Sequence, residues 1–224
     1  MKKVIMLLAA VSGILVARAE VSAGKVQLWE GGPYWADRNI GADKPEDYGL
    51  YFWWGDTTGY RPSAEGTFKF GFSSGNSEIG TYMKSASELQ SAGWVTSDGV
   101  LAPSHDAAHV NWGGSWRMPT YQELNDLCYN KCDWTWTVLN GVNGWVVRGR
   151  GAYASNSIFL PAAGYGGGSS RGHAGSNGYY WSSVPYSGNY RCAYILYFSS
   201  GRHSTYDYDR DGGRSVRPVQ GFAK

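Results

Sequence analysis

The chain has 224 residues, enough for one large domain with its own core, and its 20 Lys and Arg against 18 Asp and Glu leave a formal charge of only +2. That balance argues against a nucleic-acid binder, which needs a basic excess or stripe. With 32 Gly, 17 Tyr and 11 Trp, the composition excludes a helical bundle and favours turns, short strands and packed loops, because Trp and Tyr bury area while offering a polar edge to loop backbone.

The first nineteen residues read as an export signal. Lys2 and Lys3 give a basic start, 4–16 an apolar stretch, and Ala17-Arg18-Ala19 a small-residue cleavage site. The apolar stretch is too short to span a bilayer comfortably, and no cysteine marks a lipid-anchor site. Cleavage would leave a single domain over 20–224 with no integral membrane segment. It removes three of the 20 basic residues and no acid, so the mature chain carries a net charge of −1. The expected location is periplasm, cell surface or medium.

Strands are expected near 26–29 and at 34–36. Pro45-Glu46-Asp47 suits the first turn of a short helix that Gly49 ends. An aromatic run covers 51–54. Residues 56–100 read as the least regular region, with one helix over 85–91, and 103–112 as a short helix closed by Gly113-Gly114. Thr120 and Glu123 fit a capping box opening a helix over 121–130, with Leu124, Leu127 and Cys128 on its apolar face.

After that helix the period changes to two. Trp134 and Trp136 alternate with Thr135 and Thr137. Asn140-Gly141 and Asn143-Gly144 are turn signals, and 145–148 is the return strand. A buried strand over 157–160 precedes Pro161, and 165–177 reads as a glycine-rich loop. Strands over 179–182, 193–199, 203–208 and 215–219 complete the chain. There is no convincing internal repeat.

Residues 178–219 carry the strongest functional signal. Trp181, Tyr194, Leu196, Phe198, Val216 and Val219 recur at strand spacing, and Tyr, Ser, Asn, Asp, Arg, His and Gly fill the gaps. Those fillers are the residues of evolved binding surfaces: Tyr and Arg give contact area, while Ser, Gly and Asn adapt their hydrogen bonds. The segment reads as a recognition face on a β framework.

Other constellations are weaker. Asp207-Tyr-Asp209-Arg-Asp211-Gly212 resembles the start of a calcium loop, but Pro218 stands where the bidentate Glu belongs. His105-Asp106-Ala107-Ala108-His109 resembles a zinc-protease helix with Asp in place of the Glu base and no evident third ligand. No nucleophile elbow or phosphate loop is present. No cofactor and no metal are expected, and no catalytic residue is assigned. Cys128 and Cys132 are a poor disulfide pair at a helix end; Cys132 reads as a small buried apolar residue, and a Cys132–Cys192 bridge stays open.

Several blocks together resemble one family: WADRNIGADKPEDYGLYFWWGDT (35–57), HDAAHVNWGGSWRMPTYQEL (105–124), CDWTWTVLNGVNG (132–144), SIFLPAAGY (157–165), GYYWSS (178–183) and RDGGRSVRPV (210–219). They are similar to the Fibrobacter succinogenes major paralogous domain family of exported bacterial proteins. That family resembles the C-type-lectin-like fold shared with formylglycine-generating-enzyme-type domains and with the variable proteins of diversity-generating retroelements. The resemblance covers nearly all of 26–222. It implies an α+β, C-type-lectin-like fold with a twisted antiparallel sheet, two main helices and extensive ordered loops. Tyr180, Trp181, Ser182, Ala193, Leu196, Phe198, Arg210, Gly213, Ser215, Val216, Arg217 and Pro218 match its framework. Its variable, ligand-facing positions fall on Tyr186, Asn189, Tyr190, Arg191, Ile195, Tyr197, His203, Tyr206, Asp207, Tyr208, Asp209, Asp211 and Arg214.

The expectation is an exported, non-catalytic, adhesin- or receptor-like binding protein whose ligand is a glycan or a protein at a cell or phage surface. The alternatives are a formylglycine-generating-type enzyme, which needs a close cysteine pair near the C-terminus, and a structural envelope protein.

Overall fold

The computed structural model describes residues 20–72 and 80–221. The expected export signal at 1–19 lies outside the described residues, as does 73–79 of the loop-rich stretch. The architecture is mixed, mostly antiparallel strands with few short helices.

Strands β1 (Lys25–Gln27) and β2 (Tyr34–Ala36) pair antiparallel, and a two-residue strand near the C-terminus, Val219–Gln220, joins β2 on its other side. The two ends of the described domain therefore meet in one small sheet. Strand β3 (Thr67–Phe72) comes next in the chain, then three short helices, and then a meander of β4 (Cys132–Leu139), β5 (Val142–Gly149) and β6 (Ser157–Pro161). Strand β7 (Tyr165–Gly172) pairs with β3. A second meander follows, with β8 (Asn177–Pro185), β9 (Cys192–Ser199) and β10 (Arg202–Asp209), in which β10 is an edge. The Val219–Gln220 strand is β11.

The helices are short, and each opens on its own side-chain cap. Helix α1 (Ala86–Ser91) opens on a Ser85–Glu88 capping box. The helix expected over 103–112 divides at Asp106. A 3₁₀ turn, Pro103–His105, precedes α2 (Ala107–Trp112), and Asp106 takes an extended conformation to cap α2 through Oδ1, which accepts from the Ala108 and His109 N–H groups at 2.8 and 3.0 Å. Helix α3 (Tyr121–Asn125) opens on the Thr120–Glu123 box and widens into a π-helical turn, Asp126–Asn130. The short helix expected at Pro45 is instead a run of turns. The described residues thus hold three short α-helices rather than two main ones.

The first meander follows its sequence pattern with one exception. Asn140 and Gly141 both take positive φ (48° and 83°), the signature of a two-residue hairpin turn. Asn143-Gly144, expected as a second turn, lies inside β5. Its glycine answers a different need: a Cβ on Gly144 would sit 2.4 Å from the Leu160 carbonyl oxygen, so β6 can approach only a bare backbone. The glycine-rich stretch 165–177, expected as a loop, contains β7. Gly and Ser carry no side-chain period, so the alternation that marks a strand is invisible there. The strand expected over 215–219 shortens to β11, because Gly213, Arg214 and Ser215 make single bridges to Gly166, Phe52 and Tyr180 instead of one continuous ladder.

The second meander is clad on both faces. On one, Tyr179, Trp181, Ala193 and Ile195 pack with Phe52, Trp54, Trp112, Trp116 and Val216. On the other, Tyr180, Leu196 and Phe198 pack with Leu28, Leu124, Leu127, Trp145 and Val147. Alternation along a strand sends successive side chains to these two cores. Most of the largest fully buried side chains are aromatic, among them Trp35, Trp54, Trp116, Trp181, Tyr51 and Phe52, so a chain poor in long helices still has a large core. Cys128, Cys132 and Cys192 are free thiols, so the Cys132–Cys192 bridge left open by the sequence is not formed. Cys132 is buried, as expected.

Candidate ligand-binding cleft

The site is built on three arginines that the fold swallows. Arg210 donates to the carbonyls of Cys192, Thr81 and Lys84 and lies 4.9 Å over Trp54. Arg217 donates to Asn39 Oδ1 and to the Ala36 and Phe159 carbonyls. Arg214 donates to the Gly213 carbonyl and sits among Tyr208, Tyr165, Tyr179 and Trp181 at 4.6 to 5.6 Å from their ring centres. Burial lowers each guanidinium to about 10, still charged at neutral pH. Backbone carbonyls and aromatic faces receive most of these guanidinium groups, with Asp211 near Arg214 and Asp37 near Arg217, so the arginines tie the last strands to the N-terminal half.

Above Arg214 lies an open cleft of about 350 Å³ lined by Tyr179, Ile195, Tyr197, Arg202, Tyr206, Asp207 and Tyr208. Register explains it. Tyr179 pairs with Tyr197, Tyr206 with Ile195 and Tyr208 with Ala193, so all of them project on one face. The rings brace one another edge-on: Tyr179 and Tyr197 at 5.1 Å, Tyr197 and Tyr206 at 5.9 Å, Tyr179 and Tyr208 at 6.0 Å. Asn177 donates to the Tyr197 hydroxyl at 2.8 Å. Arg202 lies 5.2 Å over the Tyr197 ring. Tyr206 and Tyr208 remain 44% and 43% exposed although they belong to an ordered strand. Exposed aromatics gathered on one face mark an interaction site more than scattered ones do.

The opposite face of the same strand is different in kind. His203 stacks on Trp134 at 4.4 Å, and its Nδ1 lies 3.3 Å from Cys128 Sγ. Tyr194 stacks on Tyr121 at 4.0 Å, with Tyr186 edge-on at 5.2 Å. Asp207 is opposite Tyr194 and Asp209 opposite Cys192. Arg191 lies 3.7 Å from Asp209 and over the Tyr82 ring.

The thirteen residues expected to form one ligand face therefore separate. Tyr197, Tyr206 and Tyr208 share the cleft. Tyr186, Asp207 and Asp209 turn to the other face, although Asp207 borders the cleft through its place in β10. Asn189, Tyr190 and Arg191 lie in the loop between β8 and β9, with Tyr190 52% exposed. Four positions need correction. Ile195, Asp211 and Arg214 are buried: Ile195 is the cleft floor, and Arg214 is a pillar beneath Tyr208. His203 is half-buried against tryptophan. The idea of a single patch fails because β10 alternates and the sheet has a core on each side. Tyr179 and Arg202 belong to the cleft and were missed. Arg202 was legible in retrospect, since it stands four residues before Tyr206 and so on the same strand face.

A second concavity, about 320 Å³, is lined in part by Leu101, Asp106, His109, Arg117, Met118 and Ser183. Its buried Asp106 and its Arg117 are already engaged by the fold. Asp106 Oδ2 accepts from the Met118 N–H at 2.8 Å while Oδ1 caps α2, and Arg117 grips Glu123 through two bonds of 2.7 and 2.6 Å. The residues that resemble a zinc-protease helix serve the fold here. Among the described residues, no group of three or more His, Cys, Asp or Glu is placed to hold a metal ion, and no helix is long and apolar enough to cross a membrane.

A family model described as a domain of unknown function (DUF8237) matches residues 150–219, the stretch that holds both the cleft strands and the buried arginines. No curated protein and no solved structure shows a significant match.

Proposed function

We propose that this chain is an exported, non-catalytic binding protein that presents the cleft over Tyr197, Tyr206 and Tyr208 to a glycan or protein ligand at a cell or phage surface. We further assign it a C-type-lectin-like architecture and kinship with the Fibrobacter succinogenes major paralogous domain family. The ends paired in one sheet, the antiparallel meanders and the long ordered loops support that assignment.

One observation carries the functional reading. Two tyrosines stay open to solvent on edge strand β10 beside a strand packed on both faces, and a buried arginine holds one of them up. A surface that served only the fold would not need a charged pillar beneath an exposed ring. The thiols support the non-catalytic reading over the formylglycine-generating-type alternative. Burial pushes Cys128, Cys132 and Cys192 up to about 12, far from the thiolate such chemistry needs.

The test is a glycan array and a protein pull-down with wild type against the Tyr206→Ala/Tyr208→Ala variant. Specific capture by wild type that the variant loses is the expected result. Capture that the variant retains would place the ligand elsewhere, and absence of any capture would favour a structural envelope role.

A further inference from the structure

The geometry points to a carboxylated saccharide as the occupant of the cleft, its ring against Tyr197 and Tyr206 and its carboxylate on Arg202. This rests on the ligand-binding reading above and goes one step further, to the chemistry of the ligand.

Arg202 is the open charge of the site. It stands at the mouth on the hairpin between β9 and β10, on the same strand face as Tyr206 and Tyr208. Its guanidinium lies over Tyr197 and is in salt-bridge contact with no carboxylate among the described residues. The guanidinium also hydrogen-bonds the Tyr197 side chain, which engages part of its fork; with five N–H donors it keeps others to meet a carboxylate. Asp207, the one acid bordering the cleft, pairs in register with Tyr194 and so directs its side chain to the other face. Beneath the cleft Arg214 remains a cation under the Tyr208 ring, its charge offset in part by the buried Asp211.

The walls select a sugar over an acidic peptide. They are the faces and edges of tyrosine rings, suited to the C–H faces of a pyranose. No described residue hydrogen-bonds the hydroxyls of Tyr206 and Tyr208, so these can meet sugar hydroxyls. The cleft opens on a sheet face whose backbone amides are engaged in the β8–β9 and β9–β10 ladders. A peptide laid across that face would find no backbone partner for its own amides, and one paired along the free outer edge of β10 would lie beside the cleft rather than in it. The space, about 350 Å³, falls at the small end of ligand pockets, the scale of one or two sugar rings.

The experiment titrates the purified protein with oligogalacturonides and their methyl esters, and with sialyllactose and lactose, by calorimetry. At least one acidic ligand should bind roughly tenfold or more tighter than its neutral partner, as a charge-assisted bidentate pair allows. Arg202→Gln should weaken the acidic form roughly tenfold or more beyond any effect on the neutral form, and so erase that preference. Arg202→Lys should keep part of it, and Tyr206→Ala should weaken both forms. Equal binding of acidic and neutral partners, or a preference that survives Arg202→Gln, overturns the proposal while leaving the ligand-binding reading intact. So does tighter binding of a poly-glutamate peptide than of any acidic sugar. If no saccharide binds yet the protein pull-down is lost in the Tyr206→Ala/Tyr208→Ala variant, the carboxylated-sugar proposal fails alone. If neither experiment detects a ligand, both readings fail.

Discussion

Strand β10 and the turn that follows it both carry arginine and aspartate, and those residues meet opposite fates. Residues 202–209 carry arginine, tyrosine and aspartate and remain largely open; residues 210–217 carry three arginines and an aspartate and are almost wholly enclosed. Residue type does not separate their arginines and aspartates. Neighbours do. β10 is the edge of its sheet, covered on one side only by β9. The turn runs beneath that sheet and is received by Phe52, Trp54, Asn39 and the carbonyls of residues far away in sequence. Identical side chains thus become recognition elements in one place and internal staples in the next.

The sharpest way to break that contrast is to remove a staple. Arg217→Ala strips donors from three buried acceptors and leaves a void, so thermal or denaturant unfolding should show a loss of about 3–5 kcal/mol. A loss within experimental error would mean that the enclosed arginines are incidental. Tyr180→Phe is smaller. It deletes a hydroxyl that donates to the Pro161 carbonyl at 2.7 Å and lies 3.4 Å from the Asn39 amide, and should cost about 1–2 kcal/mol by the same assay.

The midpoint of the contrast is Arg214, buried like a staple yet in contact with an exposed ring. Arg214→Met keeps much of the volume and removes the charge. Stability should change modestly, while ligand capture through Tyr208 should weaken severalfold. Capture at wild-type strength would detach the pillar from the site.

The smallest effect is on pH. Burial, first among the causes, holds the His105 and His203 imidazoles below their ordinary value of 6.5. In that window the unfolded chain takes up protons that the folded chain refuses. Stability is therefore full above 6.5 and declines as pH falls through it, until the folded imidazoles protonate as well. Melting curves from pH 8 to pH 5 should show this decline, and His203→Gln should flatten part of it. A rise in stability on acidification would contradict the burial of both rings.

Much of the chain was legible where side chains repeat. The Trp134/Trp136 alternation, the Asn140-Gly141 turn and the Thr120–Glu123 box all appear as read, because each is a local rule that local chemistry satisfies. The strand within 165–172 was not legible, since glycine and serine leave no period to count. Gly144 read as a turn because a glycine needed for close approach of another backbone looks the same in sequence as one needed for a positive φ. The tyrosines of the cleft were found by composition. Their division between two faces depends on strand parity and on which side of the sheet holds a core, and parity alone cannot reveal a second core. Arg214 read as a ligand contact for the same reason: nothing local distinguishes an arginine at the surface from one enclosed by distant residues such as Gly166, 48 positions away.

The central claim is that Tyr206 and Tyr208 exist for a partner rather than for the fold. Melting and ligand capture measured on one preparation of the Tyr206→Ala/Tyr208→Ala protein test it most directly. The account predicts a Tm within about 2–3 °C of wild type, as expected for exposed side chains, together with loss of capture. A Tm lowered by about 8 °C or more with capture retained would contradict it.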